Sequence, residues 1–270
     1  MEWGDPKFDE SKNPNISHDA YQFGEIRALL GYFLLTVVVV VLLVEAIVWS
    51  LPHTISLQRE RNWFSFVQTH FDEHKNFQKD EKLQKLANQL APHMGLPENS
   101  ITVYYNLDDT PNAFATFGGN IVMYRGLLSR LPNEESVATV LAHEMAHIKH
   151  RDPLRAMSRN LLYSMVAAMF GNDTQIQMLA NMEGLRYSRE LEYAADAAAL
   201  DATQKHYGNT QGAHDLFAVL TQIEQEYGGN RIAWFSTHPA TADRVQQIQQ
   251  RALQLNYQQH QNVHENLWRK

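Results

Sequence analysis

No residue from Ala28 to Val44 carries a charge, and the apolar character continues past Glu45 to Val48 and Trp49 before Pro52 interrupts it. About 20 apolar residues in a row cross a bilayer as a helix, so the run is long enough to span. A core helix of a water-soluble domain is seldom so uniformly apolar over such a length. A cleaved signal sequence would carry a basic start near Met1 and small residues at its end. This run instead begins late, behind an acidic tail, and leads into Trp49-Ser-Leu-Pro52. The expectation is a transmembrane helix over 28–49, with Tyr32 and Trp49 at the interfaces and Glu45, one turn from the end, reaching the headgroups.

Residues 1–27 are polar, contain Pro6 and Pro14 and show no sustained period, which reads as a flexible tail. Arg27 abuts the near side of the run, while Arg59 and Arg61 stand farther from its far side. Positive residues favour the cytoplasmic side, so the tail is expected there and the bulk of the chain across the membrane. That describes a single-pass protein of the cell inner membrane with its main domain on the periplasmic side. The remainder of a 270-residue chain with 44% hydrophobic residues suffices for one sizeable domain. A net charge of -7 argues against a nucleic-acid surface. The chain has no cysteine, so any metal must be held by histidine and carboxylate.

Such ligands stand together in His143-Glu144-Met145-Ala146-His147. On a helix the two histidines lie one turn apart on one face, a spacing that lets two imidazole nitrogens reach one zinc while Glu144 sits beside them as a base. Val137, Ala138, Val140, Leu141, Ala142, Met145, Ala146 and Ile148 are apolar on every side, which puts this helix inside a core. Ionisable groups are costly there unless something pairs with them, and a metal would do so. Asn133 suits the N-cap, with Glu134 and Glu135 in the first turn, and the helix is expected to end near Arg151-Asp152-Pro153.

A hydrolytic zinc takes three protein ligands and keeps a fourth position for water. His150 and Pro153 occupy the downstream positions where another zincin pattern would need Gly and His. A later helix offers Glu192, with Asp196 one turn beyond it on the same face, placed to accept the outer ring N–H of a ligand histidine. Glu190 is the rival ligand, but on a regular helix it points about 160° away. His150 lies a further turn along the motif helix and is expected to be solvated or supporting.

Periodicity supplies the surroundings. Trp63, Phe64, Val67 and Phe71 repeat at helical spacing, as do Leu83, Leu86, Ala87 and Leu90. Ile101–Tyr105 and Asn120–Tyr124 read as strands, with turns at 108–112 and 118–119. Gly126–Leu131 is a short helical piece, and Leu161–Phe170 is an apolar run too short to span. A long helix is expected from about Thr174 to Ala202, another through Leu216, Leu220 and Ile223, and a last one capped by Thr241 with Val245, Ile248, Ala252 and Leu255 inside.

The motif His143–His147, the run Ser188-Arg-Glu-Leu-Glu-Tyr-Ala-Ala-Asp196, the earlier Pro111-Asn-Ala-Phe-Ala115 and the later Thr237-His-Pro239 ahead of Arg244 resemble, in that order, the HtpX-type membrane zinc metallopeptidases. That family also includes the CaaX prenyl protease and the mitochondrial overlapping-activity protease, and the likeness runs from about Leu83 to Leu255. Its bacterial HtpX and CaaX members span the membrane several times, whereas this chain shows one clear anchor. The resemblance implies one Zn2+ per chain on His143, His147 and Glu192, Glu144 as general base and Asp196 in support. It also implies Asn112 on a substrate-lining edge, where a plain turn asparagine is the alternative. His238 is a candidate for steadying the oxyanion, against a loop histidine fixed by Pro239.

The expected fold is α+β and mainly helical, a zincin-like metallopeptidase domain with a small sheet beside the active-site helix, preceded by one transmembrane helix. Its expected segments are a tail (1–27), the span (28–49), a membrane-proximal helical segment (50–80), the peptidase domain (81–257) and a C-terminal tail (258–270). The expected activity is hydrolysis of peptide bonds in membrane or envelope polypeptides for quality control, with the lipid bilayer as the other partner. The alternative is a zinc-stabilised, non-proteolytic chaperone or binding module. A loop over the zinc at Gly171–Gly184 would make the protease regulated.

Overall fold

The computed structural model describes residues 19–156, 187–228, 233–238, 242–260 and 264–269. The expected tail up to residue 18, the run Leu161–Phe170, the stretch 171–184 and Thr241 lie outside them. The chain divides into two compact units, Met1–Ile47 and Val48–Lys270.

The first unit carries most of helix α1 (Asp19–Thr54). Helix growth is cheap once nucleated, so the polar residues ahead of Ala28 join it. Pro52 does not stop it either, because a proline in the last turn removes only one backbone hydrogen bond. Within α1, Gly24–Ile47 is a 24-residue stretch whose most apolar 18 residues have a mean hydropathy of 2.6 and bury nothing in the protein. At 1.5 Å per residue it is about 36 Å long, enough for a hydrocarbon core of about 30 Å.

The second unit is built on a four-stranded sheet in the order β1-β2-β4-β3, from β1 (Phe77–Lys79), β2 (Thr102–Asn106), β3 (Ala113–Thr116) and β4 (Asn120–Tyr124). β2 and β4 are parallel, with Thr102 opposite Asn120, and the other two pairs are antiparallel. The sequence foresaw β2 and β4. The Asn112–Thr116 stretch between its two expected turns is itself mostly strand, and β1 is a further short edge.

Side chains of a strand alternate between faces, and here the alternation separates two cores. Val103, Ala113, Ala115, Ile121 and Met123 point to the main core, shared with α4 (Glu81–Met94) and the motif helix α6 (Glu134–His150). Tyr104, Phe114, Val122 and Tyr124 point the other way, onto Val67 and Phe71 of α3 (Ser65–Glu73), which follows the short α2 (Leu57–Trp63). The small Ala113 and Ala115 let β3 come close to α6. After α5 (Arg125–Leu128), α6 starts on a capping box: the Asn133 side chain accepts from the Ser136 amide at 2.8 Å and Ser136 answers the Asn133 backbone. It is buried along almost its whole length, as its all-round apolar sequence requires.

α7 (Arg189–Tyr207) and α8 (Gln211–Tyr227) complete the core around α6, followed by α9 (Ala233–Thr237) and α10 (Ala242–Gln254). Residues 264–269 lie back against the domain. Asn266 donates to the carbonyls of Leu128 and Leu131 at 2.7 and 2.6 Å, and Trp268 is buried.

Gly212, at the start of α8, lies against the α6 backbone, and a Cβ there would come within 2.5 Å of the Glu135 carbonyl. Backbone cannot give way as a side chain does, so Gly212→Ala is expected to destabilise the domain by about 1–3 kcal/mol. Thermal unfolding should show a lowered Tm; an unchanged Tm would mean that α8 is free to move off α6.

Candidate metal centre

α6 and α7 bring the histidines and carboxylates together. His143 Nε2 lies 3.2 Å from His147 Nε2 and 3.5 Å from Glu192 Oε2, and His147 Nε2 lies 3.5 Å from Glu192 Oε1. A tetrahedral zinc with bonds of about 2.0–2.2 Å would hold its ligand atoms about 3.3–3.6 Å apart. The three donors therefore fit one ion in spacing and in kind. His238, just past α9, joins them with Nδ1 2.9 Å from Glu192 Oε1, and all four donors fall within 4.8 Å of one another. Glu190 is exposed, whereas Glu192 is buried in the cluster. His150 stands aside, 4.0 Å from Asp152.

The outer nitrogens of both motif histidines are held. His143 Nδ1 faces Asp196 Oδ1 at 3.0 Å, the contact expected of Asp196, and His147 Nδ1 faces Asp152 Oδ2 at 2.9 Å. A carboxylate on the outer nitrogen fixes the tautomer and turns the inner nitrogen's lone pair towards the common centre. Asp196 is itself gripped by Arg244 of α10, through Nε and Nη2 at 2.7 Å each, and the same guanidinium reaches Glu192 at 2.8 Å. The Tyr187 ring stacks on His147 with centroids 4.1 Å apart and planes 15° from parallel.

Sequence reasoning gave Asp152, Arg244 and Tyr187 no role. Asp152 had a readable signal, an acid directly beyond the end of a helix carrying two histidines. Arg244 stood in the family-like run, but nothing there named its partner, which is remote in sequence, and Tyr187 had no signal.

Burial opposes charge throughout the cluster, and specific partners decide which groups stay ionised. Burial alone would strip the proton from His143, but hydrogen bonds to Asp196 and Glu192 outweigh it and push the pKa up to about 10. Glu192 is held well below its usual range, because His238 and His143 outweigh the burial that would raise it. Asp196 is lowered in the same way, with Arg244 overcoming burial. Glu144 has no such partner. Burial pushes it up to about 7, with His143 working against the rise, and neither of its oxygens has a hydrogen-bond partner.

Burial takes His238 down to about 4, against the pull of Glu192, so its ring is neutral near pH 7. Ionised Glu192 can only accept, so Nδ1 carries the His238 proton. Its bare Nε2 then points at Glu144 Oε1, 3.5 Å away. Asn112 lies at the start of β3, buried, with its side-chain oxygen unpartnered.

A buried pair of histidines one turn apart, an adjacent unpartnered glutamate and a carboxylate from a second helix form the architecture of a metallopeptidase. Comparison with known proteins agrees. The family model described as peptidase family M48 matches residues 77–252, and the chain belongs to that family. Among similar proteins, the protease HtpX of Legionella pneumophila (strain Philadelphia 1) is 30% identical over 212 residues, covering 62% of this chain and 75% of that one. Metalloprotease YcaL of Escherichia coli is 30% identical over 187 residues, covering 64% and 71%. A putative beta-barrel assembly-enhancing protease of Vibrio cholerae is 27% identical over 191 residues, covering 65% of this chain but only 39% of its own length.

Because His143 keeps its second proton up to about pH 10 without metal, an ion binding at Nε2 must displace it. Zinc uptake at pH 8 is expected to release about one proton, and apparent affinity to rise up to about tenfold per pH unit below pH 10. Calorimetry in buffers of different ionisation enthalpy counts the protons; uptake with no release would contradict the His143 arrangement.

Proposed function

We propose that this protein is a zinc endopeptidase, anchored in a membrane by α1, that hydrolyses peptide bonds of membrane or envelope proteins in quality control. Glu144 carries this reading. A zinc that only braces a fold has no use for a carboxylate beside its ligands, yet Glu144 is fully buried there with both oxygens unpartnered. The family, the likeness to proteases and the apolar Gly24–Ile47 stretch support the rest.

His143, His147 and Glu192 hold the ion in this reading. The chemistry that zinc held there would supply is polarisation of the scissile carbonyl and activation of a water molecule. Glu144, with a pKa raised to about 7, takes the proton of the attacking water and passes it to the leaving amine, since a base matched to the working pH both accepts and returns a proton readily. Asp196 and Asp152 keep the two imidazoles in the tautomer that turns Nε2 inward. Arg244 keeps the buried Asp196 ionised and adds its charge beside Glu192. β3 packs against α6, the helix that carries Glu144. Asn112 at the start of β3 would meet the substrate backbone.

Orientation follows from Arg27 at the near end of the span, which favours the main domain on the periplasmic face of the inner membrane. A reporter fused after Lys270 would read that side directly, and cytoplasmic reporter activity would reverse the assignment.

Glu144→Ala is expected to retain zinc while cleavage of an unfolded protein substrate falls at least about a hundredfold. Metal content and proteolysis measured on the same preparations test this, and wild-type protein that binds zinc but cleaves no unfolded protein would defeat the enzymatic reading. Arg244→Lys loses the bidentate grip on Asp196 and is expected to weaken zinc binding about 10–100-fold. Chelator competition measures the loss.

A further inference from the structure

α2 turns one charged group inward. Ser56 caps the helix by accepting from the Arg59 amide at 3.3 Å, and Glu60 lies beneath it, 4% exposed. The Glu60 carboxylate is shared between two elements. Oε1 accepts the Gly118 amide at 2.8 Å, in the turn that closes β3, and Oε2 accepts the Arg151 guanidinium. Arg151 also donates to the Ile55 carbonyl at 2.7 Å, just ahead of the same helix.

Arg151 is the residue on which α6 ends, with φ 61° and ψ 30°. This left-handed conformation crowds a Cβ against the following carbonyl and favours glycine. α4 and α7 end in the same way on Gly95 and Gly208. An arginine at such a position is explained by what its side chain holds. The next residue, Asp152, is buried and faces His147 Nδ1 at 2.9 Å. One turn of chain therefore ends the motif helix, makes a buried ion pair with α2 and aims the carboxylate that orients His147.

We propose that Glu60 is a positioning residue of the metal centre: by fixing Arg151 in its left-handed turn it holds Asp152 on His147, so the helix that follows the membrane segment sets how tightly the site keeps its metal. The proposal rests on the reading of His147 as a ligand. A purely structural role, holding α2 to the domain, would change unfolding but not metal affinity below the unfolding temperature.

The test uses full-length protein in detergent and zinc competition with a chromogenic chelator, well below the Tm of every variant. Asp152→Asn should weaken zinc about 10–100-fold. Glu60→Gln should weaken it about three- to tenfold, and the double variant should lose no more than Asp152→Asn alone, as expected for two residues acting along one path. Arg151→Gly, which adopts the left-handed turn without strain, should lose affinity as Glu60→Gln does. Arg59→Ala, on the exposed side of α2, should change nothing. Wild-type affinity in both Glu60→Gln and Arg151→Gly overturns the proposal, and so does full additivity in the double variant. Should Glu60→Gln not fold, Glu60→Met with Arg151→Met replaces the ion pair by an apolar contact and carries the same comparison. Wild-type protein that takes up no zinc would overturn the reading of the site on which the proposal rests.

Discussion

Arg244 is the charge that lets two carboxylates lie side by side inside this domain. Asp196 and Glu192 stand one turn apart on α7, both buried. Left alone, two such groups would repel each other and take up protons. The guanidinium meets Asp196 through two hydrogen bonds of 2.7 Å and Glu192 at 2.8 Å, which keeps Asp196 negative and joins His143 and His238 in holding Glu192 so. Asp196 can then hold the outer nitrogen of His143, and Glu192 can turn an oxygen towards both imidazoles. Its planar fork matches a carboxylate edge and stays charged when buried, which a lysine would not do as well. α6, α7 and α10 are thereby tied at the one place where a misfit would leave a charge without an opposite.

The same economy governs the ends of α6. Its first turn is closed by Asn133 and Ser136, and the free amide of Glu134 donates to the His264 carbonyl at 3.3 Å. Its last turn is closed by Arg151, whose side chain reaches back to Glu60 and Ile55. A helix apolar all round leaves little to slide against, so its register depends on these two ends. The histidines sit in its second half, near the end held by Arg151.

Short-range chemistry made part of this readable in advance. The motif helix, its asparagine cap and the pairing of Glu192 with Asp196 depend on spacings of three or four residues, which a sequence displays directly. The sheet was half legible. Ile101–Tyr105 and Asn120–Tyr124 carry branched and aromatic residues, but the third strand, Ala113-Phe-Ala-Thr116, is short and its alanines announce nothing. Their value is to admit α6, which only the packed structure reveals. Asp152 stood in view just past the helix end, but its aim at His147 depends on a positive φ at Arg151, and no pattern marks a non-glycine residue for that conformation. Arg244 was visible as part of a family signature, but its partner Asp196 is 48 residues away, and long-range charge pairing leaves no local trace.

The site draws on residues spread widely along the chain. Glu60 comes early and His143 near the middle, while His238 and Arg244 stand 95 residues beyond His143 and 48 beyond Asp196. The segment that carries His264 then returns to the start of α6. A ribosome adds residues in order, so α6 and its two histidines leave the exit tunnel long before Arg244 exists to neutralise the carboxylates around them. The two carboxylates of the centre therefore lack their counter-ion in any shorter segment that holds α6 and α7 without Arg244.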